Sequence, residues 1–125
     1  MKESIFAEKA PAAIGPFSHA VRTDNLLFIS GQLPVDPATG ELVKATIQTQ
    51  VSMALTNLKS VLEAAGGTMD NVVKTTVFLK DMNDFAEMNQ IYQTFFQKNY
   101  PARSAFQVAK LPKDAMVEIE AIAVL

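Results

Sequence analysis

Apolar residues recur along this chain with two different periods. One set falls at Ile47, Val51, Ala54, Leu55, Leu58, Val61, Leu62 and Ala65, a 3.6-residue spacing that predicts a helix with one buried face. Gln48, Gln50, Ser52, Asn57 and Lys59 lie off that face. Gly66-Gly67 follows and supplies the left-handed residue that closes such a helix. A second stripe of Phe85, Met88, Ile91, Tyr92, Phe95 and Phe96 predicts another helix. Asp84 and Glu87 have capping-box spacing at its start. Asn99-Tyr100-Pro101 ends it, because the residue before proline is pushed out of helical geometry.

The remaining apolar runs read as strands. Ile5-Phe6 opens the chain, and residues 10–16 form a loop. Phe17 to Arg22 turns at Asp24-Asn25 into Leu26-Leu27-Phe28-Ile29-Ser30, since Asp and Asn tolerate the left-handed angles of a tight turn. Gly31 breaks that strand, and Pro34 to Gly40 is a second turn-rich loop. Val72 to Leu79 is β-branched and, at its end, apolar on both faces, as a central strand requires. Strands over about 105–108 and 116–124 complete the order β-β-β-α-β-α-β-β.

Each helix has one apolar stripe and so needs one sheet face to cover. The predicted fold is therefore α+β: a two-layer domain over residues 1–125 with both helices on one face of a mixed sheet. The last strand alternates. Val117, Ile119, Ala121 and Ala123 point one way, and Glu118, Glu120, Ile122 and Val124 the other. A face with two carboxylates beside Ile and Val is neither plain core nor plain surface, so it meets solvent or another subunit.

Composition narrows the functional classes. The 125 residues suffice for one domain. Hydrophobic residues make up 49% and charged residues 19%, a globular balance. The pI is near 5.3 and the 11 Lys and Arg are scattered singly, which argues against nucleic acid as the partner. With no cysteine, disulfides, thiolate zinc sites and a Cys nucleophile are excluded. The N-terminus lacks the apolar stretch of a signal peptide. No apolar run approaches the ~18 residues of a membrane span. The expectation is a cytoplasmic protein without membrane contact.

Few residues are candidates for chemistry. Arg103 is the only charge between Lys98 and Lys110, among small and apolar neighbours. Its guanidinium can fork onto a carboxylate, or serve as an ordinary ion-pair or surface residue. Glu118 shares a strand face with Glu120. Partly buried, it could position a water and pass protons near neutral pH; on a sheet edge it would simply be solvated. Asn89 sits at the margin of the second helix's stripe, able to bond a loop or a ligand. The Phe and Tyr of that stripe need no ligand. His19 is the only histidine and reads as a half-exposed strand residue. Nothing has metal-ligand spacing, and no phosphate-binding glycine pattern occurs.

Several blocks together resemble one family. They are residues 10–18 (Ala-Pro-Ala-Ala-Ile-Gly-Pro-Phe-Ser), Ser30-Gly31-Gln32-Leu33-Pro34 with Gly40-Glu41, residues 73–85, Pro101-Ala102-Arg103-Ser104 and residues 118–123. In that order, nearly end to end, they resemble the YjgF/RidA proteins. The resemblance implies a chorismate-mutase-like fold, a homotrimer with ligand clefts between subunits, and cofactor-free hydrolysis of 2-imino acids to 2-keto acids and ammonia. It implies that Arg103 grips the substrate carboxylate and Glu118 serves the attacking water. Phe17, Ser30, Gly31 and Asn89 would line the cleft, with the Ala105 carbonyl facing the substrate nitrogen. The family's deaminases usually carry tyrosine at Phe17 and often cysteine at Ala105. The missing hydroxyl leaves a second reading open, a non-catalytic sensor of 2-keto acids using the same arginine. A chaperone-like or RNA-directed role, reported for relatives, is a third, and the acidic pI speaks against RNA.

Overall fold

The computed structural model describes residues 1–125. Its elements are β1 (Glu3–Ile5), β2 (Ala20–Thr23), β3 (Leu26–Gln32), α1 (Ile47–Ala64), β4 (Val72–Leu79), α2 (Phe85–Tyr92), β5 (Ala102–Gln107) and β6 (Val117–Val124). The element order is the one the hydrophobic pattern predicts. The six strands form one mixed sheet in the order β1-β2-β3-β6-β4-β5. Only β4 and β5 run parallel, joined through α2, because parallel neighbours need a crossover rather than a hairpin.

The C-terminal strand β6 sits inside the sheet, antiparallel to β3 on one side and β4 on the other. Its alternation divides the domain. Val117, Ile119, Ala121 and Ala123 are buried with Val51, Leu55, Leu58 and Leu62 of α1. Glu118, Ile122 and Val124 are half-buried on the other face, with Glu120 exposed. No helix covers that second face. Phe28, Val73 and Phe106 are 44%, 46% and 46% exposed, an apolar surface of the kind that marks an interface. No helix is long and apolar enough to cross a membrane.

Several details differ from the sequence reading. Gly31 does not end its strand; β3 continues to Gln32 through a register shift after Ile29. The chain inserts one extra residue there, a β-bulge that re-aims the side chains around it. Phe17 to His19 precede the strand rather than belong to it. Helix α2 stops at Tyr92 and passes into a 3₁₀ turn over Gln93–Phe95, well before Pro101. Asp84 makes no capping hydrogen bond. Asp81 does so instead, accepting from the Asn83 N–H at the start of a preceding 3₁₀ turn.

His19, read as half-exposed, is buried. The Ala7 N–H donates to its Nδ1 at 2.9 Å, so the ring proton sits on Nε2 and is donated to the Pro11 carbonyl at 2.8 Å. Gln50 and Asn57, off the apolar stripe of α1, are buried too. Gln50 donates to the Val43 carbonyl and accepts from the Met116 N–H. Asn57 Nδ2 donates to the carbonyls of Leu33 and Val35 at 3.0 and 2.9 Å. A loop lying over a helix has carbonyls that neither helix nor sheet can pair, and these two amides supply the donors. Asn57→Ala would strip both carbonyls of their donor. We expect a loss of about 2 kcal/mol, read as a lower urea midpoint at unchanged m-value.

Candidate functional site

The bulge in β3 places Gly31 against Glu118. A side chain at Gly31 would begin 2.9 Å from the Glu118 Cδ and nearer still to Oε2, so the absence of a Cβ makes room for the carboxylate. Glu118 lines a cavity of about 530 Å³ with Phe17 and Gly31. Loop 10–18 forms its rim and is tied down twice. The Ser30 hydroxyl donates to the Ser18 carbonyl at 2.7 Å, and His19 holds Pro11. Ser30 thus spends its hydroxyl on the loop and does not line the cavity.

The Glu118 carboxyl titrates above the ordinary glutamate value of 4.5, first because burial disfavours its charged form and then because Glu120 stands beside it. A carboxyl shifted in that direction is better placed to take and return a proton near neutral pH.

Arg103 lies elsewhere. It pairs in register with Thr75, whose hydroxyl bonds the Tyr92 hydroxyl at 2.7 Å beneath α2. Arg103 is therefore on the helix-covered face of the sheet, whereas Glu118, paired with Phe78, is on the bare face. The guanidinium carbon stands 4.8 Å from the centre of the Tyr92 ring and 5.4 Å from that of Phe85. One terminal nitrogen donates to Asn89 Oδ1 at 2.7 Å. Two aromatic faces and one amide fix the plane of the fork. No carboxylate pairs with it; the chain's one ion pair joins Lys80 and Asp114. Burial raises the Tyr92 pKa, against the Thr75 hydrogen bond and the Arg103 charge, which lower it.

Arg103 and Asn89 line a groove of about 420 Å³ with Tyr92 and Tyr100, and none of its residues borders the Glu118 cavity. Ala105 lies two residues along the edge strand β5, half-buried against the core and in neither opening. One chain thus carries two separate candidate sites: a desolvated carboxylate with Gly31 and Phe17, and an unpaired guanidinium with Asn89. Phe85 and Tyr92, read from sequence as core alone, form the bed of Arg103. The signal was present in their spacing, since Phe85, Asn89 and Tyr92 stand at i, i+4 and i+7 on one helix face. No three His, Asp or Glu side chains come together as a metal-binding group.

The family model described as Endoribonuclease L-PSP, that of the YjgF/RidA proteins, matches residues 7–125. The chain belongs to this family. It is 53% identical over 124 residues to the 2-iminobutanoate/2-iminopropanoate deaminase of Mus musculus, covering 99% of this chain and 92% of that protein. The YjgF gene product of E. coli superposes with a TM-score of 0.94 at 50% identity, covering 98% of both chains. E. coli TdcF with bound serine does so with a TM-score of 0.94 at 47% identity, again over 98% of both.

A raised carboxyl pKa has a consequence for stability. The folded chain holds the Glu118 proton more tightly than the unfolded chain does. The resulting stabilisation is complete below the ordinary glutamate pKa and is lost as pH rises through the raised value. Glu118→Gln cannot ionise. We expect its urea midpoint to gain on wild type as pH rises from acid to neutral; parallel profiles for the two proteins would contradict the assignment.

Proposed function

We propose that the protein is an imine deaminase that hydrolyses 2-imino acids such as 2-iminobutanoate and 2-iminopropanoate to 2-keto acids and ammonia, without a cofactor. One observation carries this reading. Arg103 is a half-buried cation with a fixed plane, one nitrogen committed to Asn89 and no carboxylate of its own. Such a group is matched by an anion from outside the chain, and a planar carboxylate fits its fork. A relative named as a 2-iminobutanoate/2-iminopropanoate deaminase and another with bound serine fit a small 2-substituted carboxylate as that anion.

The chemistry needs both half-sites on one substrate, and they lie on opposite faces of the sheet. In this reading a second copy supplies the other half, in a homotrimer of chorismate-mutase-like architecture with its clefts between subunits. The bare apolar face carrying Phe28, Val73 and Phe106 favours that assembly. Arg103 fixes the carboxylate and so orients the C=N carbon. Glu118 of the facing copy accepts a proton from water as the water oxygen bonds to C2. The C=N electron pair moves onto nitrogen, Glu118 returns the proton to that nitrogen, and as the C–N bond breaks with release of ammonia Glu118 takes the remaining hydroxyl proton, leaving the keto group. The protonated imine is already a good electrophile.

Phe17 favours a second reading, a sensor that binds 2-keto acids without turnover, because it removes a hydroxyl from the cavity rim. The decay of 2-iminobutanoate, generated in situ by a threonine dehydratase, separates the two. We expect wild type to accelerate it and Arg103→Ala to lose about a hundredfold or more in kcat/KM, since hydrogen bonds to a charged group contribute ~1.5–3 kcal/mol each. Phe17→Tyr should gain about tenfold by the same arithmetic. Binding of 2-ketobutyrate without any acceleration would leave the sensor. Light scattering should give three times the 13.6 kDa chain mass; a monomer would remove the inter-subunit cleft.

A further inference from the structure

We propose that Thr75 is a positioning residue for Arg103: its hydroxyl fixes the Tyr92 ring, and through that ring the plane of the guanidinium. Thr75 is fully buried and acts at one remove from any ligand. The inference rests on the reading of Arg103 as the group that binds the substrate carboxylate, and deepens it.

Thr75 differs from the other buried polar side chains in what it bonds. His19, Gln32, Gln50 and Asn57 are buried as well, and each bonds backbone. Their amides and ring serve segments whose carbonyls and N–H groups need partners. Thr75 spends its hydroxyl on another side chain, the Tyr92 hydroxyl at 2.7 Å. That pair satisfies only itself. Valine and phenylalanine would fill nearly the same space and leave no polar group over, an exchange that costs a fold little when both partners change together. The pair therefore does something that folding does not ask of it.

Its position shows what. Thr75 lies on β4, in register with Arg103 of β5 on one side and Ala121 of β6 on the other, so its backbone is held from both directions. Tyr92 is the last residue of α2, where the chain passes into the 3₁₀ turn. Helix ends fray, and a ring at such an end needs an anchor outside its own helix. The Thr75 hydroxyl supplies it from the sheet. The Phe96 ring packs against Tyr92 with centroids 4.9 Å apart. The guanidinium carbon stands 4.8 Å from the Tyr92 centroid, nearer than to that of Phe85 at 5.4 Å. A carboxylate can bind both arms of the fork only when the fork's plane is set, and the ring that lies closest to it is the one tied to the sheet. Burial raises the Tyr92 pKa above the ordinary 10.0, so the phenol stays neutral. A neutral ring orients the cation without cancelling its charge.

Side-chain NMR relaxation tests this directly. The chain has two arginines, Arg22 and Arg103, and so two Nε–Hε signals. Arg22, on β2 at the other side of the sheet, is the internal reference, and Arg103→Ala assigns the second signal. We expect an Arg103 order parameter of about 0.8 in wild type, falling below about 0.6 in Tyr92→Phe and in Thr75→Val. Thr75→Ser keeps the hydroxyl and should keep Arg103 ordered. Thr75→Val leaves the Tyr92 hydroxyl buried without a partner and should lower the urea midpoint, whereas Thr75→Val/Tyr92→Phe removes both hydroxyls and should regain most of that loss. In this double variant 2-ketobutyrate should still bind about fivefold or more weakly than in wild type.

An Arg103 signal as rigid in Tyr92→Phe and in the double variant as in wild type overturns the proposal, since ring contact alone would then hold the cation. So does a 2-ketobutyrate affinity that returns together with the urea midpoint, the mark of a pair that serves only the fold. If wild type turns over no imine, the deaminase reading fails separately. The order parameters need no ligand and decide the role of Thr75 by themselves.

Discussion

The insertion of β6 between β3 and β4 governs the rest of the molecule. A strand paired on both sides cannot slip, because a one-residue shift would exchange Ile119 for Glu118 in the core. The pairing holds two otherwise distant segments together, β3 from the first third of the chain and β4 from after α1. It also decides which face each candidate residue occupies. Helices α1 and α2 cover the face that receives Val117, Ile119, Ala121 and Ala123. Glu118 is left on the face they do not cover, close enough to the Gly31 backbone that a Cβ there would displace its carboxylate.

The same arrangement keeps two opposite charges apart. Arg103 and Glu118 are each partly desolvated, and each would gain by pairing with the other. Placed on one face they could neutralise one another, and neither would remain available to a ligand. The sheet between them prevents it. Arg103 is held instead by the rings of Tyr92 and Phe85 and the amide of Asn89, contacts that orient a cation without neutralising it. Glu118 is held by burial, and then by the neighbouring Glu120 carboxylate, above the ordinary glutamate pKa. The proposed hydrolysis would draw on both properties: a cation free to bind a carboxylate and a carboxyl with a raised pKa.

The loops depend on buried polar side chains. Asn57, Gln50 and His19 are buried, and each bonds backbone of a segment that carries no regular structure. Those segments include Pro11, Leu33 and Val35, which border the Glu118 cavity. Asn57 Oδ1 has no partner of its own, so the residue is kept for the two donors of its amide nitrogen. Through these contacts the cavity takes its shape from the core as well as from the residues that line it.

The repeat of apolar residues in the sequence was enough to determine the helix over α1, the strand over β4, the element order and the two faces of β6. Each is a local periodicity, and burial of one face rewards it directly. The end-to-end motif blocks were enough to indicate the family. Other features depend on partners distant in sequence. The bulge at Ser30-Gly31 exists because β3 must meet β6 on one side of it and make way for Glu118 on the other. The burial of His19, Gln50 and Asn57 depends on which carbonyls the folded loops bring to them. Phe85 and Tyr92 look like core until β5 lays Arg103 across their rings. Above all, nothing local shows that Arg103 and Glu118 occupy opposite faces of one sheet. That follows from strand order and register, which are set by pairing across the whole chain.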